Sequence, residues 1–274
     1  MSIVAQILDD GLIAVIDAPV EEAIIEWGIA VSQGGIHILG VPVTLSNVTE
    51  VVSELDDVGD LIVGISGVVE PSQVAAAVAA GAELVITPVN DPEIIEAAKS
   101  RGLVVIAGAL TPNEIQVARR AGADLVSVHP VGAMAGGETY FESIRRTFPE
   151  VPLLVSGNID VENAPAFLEL GAAAAMVDRN IFPDAADAAA SQVITMRAVA
   201  LTEVCADALG TPARISFTDI KTHPPPPDSG IAQLFDDELM EGDREGSQPL
   251  LDEVASFESV ALEESDLVAI EPED

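Results

Sequence analysis

One β-branched run, one small loop and one amphipathic stretch follow each other eight times along this chain. The apolar runs fall at 12–15, 36–43, 61–65, 84–89, 103–109, 125–128, 152–155 and 174–177. Helical patterns lie between them at 20–33, 48–55, 73–80, 92–101, 112–121, 139–147 and 161–170, and a last one spans about 184–209. Continuous apolar strands that alternate with helices predict a parallel sheet covered by helices. Eight units within about 210 residues predict an α/β fold of the (β/α)8 TIM-barrel type. A doubly wound open sheet is the competing architecture, but no GxGxxG follows any of the runs.

Local signals agree. Asp91-Pro92 and Thr111-Pro112 place an N-cap before a proline at the first helical position, and Thr111 with Glu114 forms a capping box. Gly81, Gly102, Gly122 and Gly171 stand where helices should end. The phrase Ala77–Val85 recurs as Ala118–Val126 and again from Leu168, one αβ turn solved three times.

The barrel pattern occupies 1–210. Residues 211–274 read differently. His223 is followed by four consecutive prolines, and 214–274 hold 17 acidic residues against Arg214, Lys221 and Arg244. This acidic C-terminal tail is expected to be largely disordered. Apolar islands within 229–264 suit a docking segment that folds on a protein partner.

The whole chain carries 46 acidic and 11 basic side chains, a net charge of −35. Such a charge repels nucleic-acid phosphates and anionic lipid surfaces, so neither nucleic acid nor membrane is expected as a partner. No apolar stretch reaches membrane-spanning length and no leader-like segment is visible, so the expected address is cytoplasmic. A single Cys205 and three dispersed histidines give no metal-ligand spacing; no metal or cofactor is expected. The acidity also suits a high-salt cytoplasm, in which case the tail needs no partner.

In a barrel of this type the site lies at the C-terminal ends of the strands. Those ends carry Asp17, Ser66, Thr87, Ser127, His129-Pro130, Ser156-Gly157-Asn158 and Asp178-Arg179. Their order resembles the 2-keto-3-deoxy-6-phosphogluconate and 4-hydroxy-2-oxoglutarate aldolases over about residues 5–195. Gly34–Leu39 is similar to that family's second strand, Gly64–Val69 to its GAGTV, and Ala80–Pro88 to its AGAxFxxSP. Ile106–Glu114 resembles PGxxTPxE, Ser127–Val131 stands at KFFPA, and Ser156–Ile159 with Asn163–Pro165 resembles TGGI…NAP.

The resemblance implies a homotrimer and a Schiff base on a sixth-strand lysine, where this chain has Ser127. A hydroxyl cannot form an iminium. The family's acid/base glutamate is matched by Gly40, and its carboxylate-binding arginine by Asp17. Lys99 and Lys221 are the only lysines, and both are expected to be solvated surface charges. Two functions remain open. One is a pseudoenzyme, a non-catalytic oligomeric scaffold or binding protein with a docking tail. The other is a lyase with a changed mechanism, with His129 and Ser127 as candidate catalytic groups. For either, Ser66, Thr87, Pro130, Ser156, Gly157, Asn158 and Arg179 are the candidate ligand contacts.

Overall fold

The computed structural model describes residues 2–16, 23–59 and 61–210. A short helix α1 (Ile3–Asp10) leads into β1 (Leu12–Val15). There follow α2 (Ile24–Gln33), β2 (Ile38–Pro42), α3 (Val48–Asp56), β3 (Ile62–Ser66), α4 (Pro71–Ala79) and β4 (Leu84–Thr87). The second half runs α5 (Pro92–Lys99), β5 (Val104–Ala109), α6 (Pro112–Ala121), β6 (Leu125–Val128), α7 (Gly137–Thr147), β7 (Leu153–Val155), α8 (Ala164–Glu169), β8 (Ala175–Val177) and α9 (Ala190–Leu209).

The eight strands are parallel, pair in sequence order and close into a barrel. Closure joins the first strand to the last, with Leu12, Ile13 and Ala14 in register with Ala175, Met176 and Val177. The eightfold alternation in the sequence is therefore the eightfold sheet. The strand interiors carry β-branched residues on both faces because the barrel lumen and the helix layer are both dry.

Two apolar bodies result. The outer one lies between sheet and helices and includes Trp27, which stacks on Phe182 with ring centroids 5.6 Å apart. The inner one fills the lumen with Ile13, Ile38, Ile62, Leu84, Ile106, Leu125 and Leu154. Strand alternation fixes which residues point inward: 13 and 15 on β1, 38 and 40 on β2, 84 and 86 on β4, 125 and 127 on β6.

The capping signals hold. Thr111 Oγ1 accepts from the Glu114 amide, and Glu114 in turn accepts from the Leu110 and Thr111 amides. Asp91 accepts from the Glu93 amide. Helix α4 begins at Pro71, two residues before the expected start, because Glu70 and Gln73 cap it reciprocally. The last helix starts at Ala190 rather than near Asp184.

Helix α1 has no counterpart in the sequence expectations. Ser2 caps it, accepting from the Ala5 amide, and Gly11 closes it in the left-handed region at φ +67°. Ile7 is fully buried, and Ile3, Val4 and Leu8 pack on the same inner cluster. Helix α1 thus stoppers the N-terminal mouth of the barrel. No described helix is long and apolar enough to cross a membrane. The acidic tail, 211–274, lies outside the described residues.

Candidate functional site

The lumen near the C-terminal ends of the strands is lined by short side chains. Ser66, Ser127 and Ser156 point inward and are buried at 4–5% exposure. Gly40 sits among them. A Cβ at residue 40 would lie 2.9 Å from Ile86 Cδ1 and 3.2 Å from both Ser66 Cβ and Val15 Cγ2. Ile86 therefore occupies the space that a longer side chain on β2 would need.

Across the lumen, β6 and β7 are neighbours, with Ser127 in register with Leu154. This brings two hydroxyls and an imidazole together. Ser127 Oγ lies 2.7 Å from Ser156 Oγ, and Ser156 Oγ lies 3.0 Å from His129 Nδ1. The chain runs from the buried lumen to solvent, because His129 itself is exposed. Buried hydroxyls are costly when unpartnered, and this chain satisfies both.

The loop that follows β7 is held rigidly. Gly157 and Asn158 both adopt left-handed backbone, at φ +82° and +59°. Asn163 Nδ2 donates to the Asn158 carbonyl, and Asn180 Nδ2 donates to the Ile159 carbonyl. The peptide between His129 and Pro130 is cis. Neither the Gly157 nor the Asn158 amide donates to an acceptor among the described residues.

The candidate residues thus separate into groups. Ser127, His129 and Ser156 converge directly. Gly157 and Pro130 form the contact between the two loops. Ser66 is on the lumen wall at the end of β3. Arg179 and Asn158 are exposed at the rim. Thr87 is elsewhere: alternation on β4 turns it toward the helix layer. Its hydroxyl is engaged in its own turn, donating to the Val89 carbonyl and accepting from the Val89 amide. Asp17 and Lys221 lie outside the described residues.

Lys99 departs from the expectation of a solvated charge. It stands at the opposite end of the barrel, with Nζ 2.7 Å from both carboxylate oxygens of Asp124. His37 is also at that end. It borders a cleft of about 420 Å³ beside Gln6 and Leu61, under helix α1.

Known proteins supply the remaining comparison. The family model for KDPG and KHG aldolase matches residues 3–195. No curated protein sequence matches the chain. Among solved structures, one described as a native KDPGal structure is 22% identical, with a TM-score of 0.66 over 73% of this chain and 96% of its own. A KDPG aldolase from Legionella pneumophila, with pyruvate captured as a covalent carbinolamine, is 23% identical with a TM-score of 0.62. The match covers 76% of this chain and 98% of that one. A thiamine phosphate pyrophosphorylase from Pyrococcus furiosus also fits, at 20% identity and a TM-score of 0.59 over 74% of this chain and all of its own. Backbone likeness at this level shows the fold and does not choose the chemistry.

Proposed function

The chain belongs to the KDPG and KHG aldolase family, and from that premise we propose a member without Schiff-base chemistry, used as a non-catalytic oligomeric scaffold or binding protein. One observation carries this reading. The inward-facing β6 position that resemblance matches to the Schiff-base lysine holds Ser127, whose hydroxyl is hydrogen-bonded to Ser156. An imine requires a nitrogen nucleophile. Lys99 cannot substitute, since it is ion-paired at the far end of the barrel.

Gly40 supports the same reading. The place matched to the acid/base glutamate carries no side chain, and Ile86 Cδ1 fills the space beside it. A trimeric body would display three acidic tails, and the apolar islands within 229–264 would then bind a partner with avidity. Deleting 222–274 should abolish partner retention while leaving the barrel's melting temperature unchanged; undiminished retention sinks the tail's role.

The Ser127–Ser156–His129 cluster favours one second reading, a carbon–carbon lyase of changed mechanism. A retro-aldol assay on 2-keto-3-deoxy-6-phosphogluconate separates the two. Pyruvate is followed in EDTA, then with Mg²⁺ and Mn²⁺. No pyruvate in any condition is expected. Pyruvate only with metal selects the lyase. Pyruvate in EDTA overturns the loss of Schiff-base chemistry.

A further inference from the structure

We infer that Ser156 is an acylatable nucleophile and that the strand-end cluster hydrolyses small uncharged carboxylic esters. This departs from the non-catalytic reading for one reaction, leaves the scaffold and tail roles as they stand, and does not depend on the outcome of the aldol assay.

A serine nucleophile needs a base within hydrogen-bond reach, and His129 Nδ1 stands 3.0 Å from Ser156 Oγ. It needs its developing charge stabilised, and Ser127 Oγ stands 2.7 Å away on the lumen side, able to donate to Ser156 Oγ. It needs donors for an oxyanion. The amides of Gly157 and Asn158 follow Ser156 directly and donate to no acceptor among the described residues. It needs a fixed presentation. The strand ends at Val155 and turns at once into two left-handed residues, tied down by Asn163 and Asn180. Left-handed backbone at a non-glycine such as Asn158 is a strained state that clusters at functional turns.

The proton inventory closes. Ser156 Oγ forms a bond to the ester carbonyl carbon while its proton passes to His129 Nδ1. The tetrahedral intermediate collapses, the bond to the alkoxy oxygen breaks, and His129 returns the proton to that leaving oxygen. Water then attacks the acyl-Ser156 carbonyl, again losing its proton to His129. Cleavage of the acyl–Oγ bond releases the carboxylic acid, and the proton on His129 restores the Ser156 hydroxyl. No metal, oxidant or reductant enters.

The substrate class follows from the surroundings. Ser156 is only 5% exposed at the end of β7. Only a short acyl group reaches the hydroxyl. A chain at −35 disfavours anionic esters.

The test uses the full chain and p-nitrophenyl acetate. Nitrophenolate release is followed by absorbance, and the acetylated residue is found by peptide mass spectrometry after an acid quench. A single acetyl on Ser156 is expected. S156A should remove it, H129Q should slow acylation by about 10²-fold, and S127A by roughly tenfold. His129 is exposed, so H129Q tests the base in a folded protein even where S156A unfolds. No acetyl on Ser156, an acetyl elsewhere with full turnover in S156A, or unchanged acylation in H129Q overturns the assignment.

Discussion

A Cβ built on Gly157 would stand 2.6 Å from the Cβ of Pro130 and 3.3 Å from the Cε1 of His129. The loops after β6 and β7 approach this closely at residue 157 because it has no side chain, and its φ of +82° suits glycine as well.

Gly157→Ala should therefore act twice. Left-handed backbone and the clash with Pro130 together should cost about 1–3 kcal/mol. Relief of the clash should push His129 away from Ser156. Urea denaturation reads the first effect. The second is read in His129 imidazole NMR shifts, which should move toward those of S156A. A variant with unchanged stability and shifts would mean the loops are not in contact.

Asp124 is the buried partner in an uneven ion pair. Its side chain is 9% exposed against 35% for Lys99, and Oδ2 also accepts from the Val105 amide at 2.8 Å. Asp124→Ala leaves that amide without its acceptor and should destabilise by about 2 kcal/mol. Lys99→Met removes a half-solvated charge and should cost under about 1 kcal/mol. Equal losses in the two single variants would show that the ion pair alone matters.

Glu114 tests the helix cap by pH. Amide hydrogen bonds from Thr111 and Leu110 hold its carboxyl below the ordinary value of 4.5. The unfolded chain therefore binds the proton more readily than the native one. The stabilisation is present above pH 4.5 and is lost as pH falls through the lower native value. The gap in melting temperature between wild type and Glu114→Gln should be open at neutral pH and should close in acid. A gap independent of pH would remove the cap from the account.

Ile7 tests the N-terminal stopper. It is fully buried against the lumen cluster. Ile7→Ala should cost about 2–5 kcal/mol if the strands cannot collapse onto the gap. A loss below about 1 kcal/mol, measured by denaturant titration, would mean that α1 only rests on the barrel.

The barrel was legible because each unit announces itself: apolar run, capped helix, glycine. Thr111 with Glu114, and Asp91 with Pro92, carried their helix starts in plain sequence. Helix α1 was not legible. It spans eight residues, and the reason for its existence is a lumen built from strands far along the chain. The signal that would have found it is Ser2 ahead of Ile3, Val4, Ile7 and Leu8, spaced as one helical face. At the site, the strand ends were readable one at a time. Ser127 and His129 share a strand face by alternation, but the turn of His129 Nδ1 onto Ser156 depends on the path of two loops. Thr87 illustrates the opposite limit. Its place at a strand end suggested a ligand contact, and one step of alternation turned it away. Lys99 looked solvated because its partner Asp124 lies one helix–strand unit further on.

The seat of α1 has a consequence for how the chain comes off the ribosome. The helix emerges before every strand of the barrel, yet the inner cluster it packs against includes Leu154, Ala174 and Met176, which are made near the barrel's end. The pairing of Leu12 with Ala175 is equally late. At a synthesis rate of about 5–20 residues per second, this apolar helix waits roughly ten to thirty seconds before its binding surface exists. Through that interval Ile3, Val4, Ile7 and Leu8 present an apolar helical face of the kind a chaperone covers.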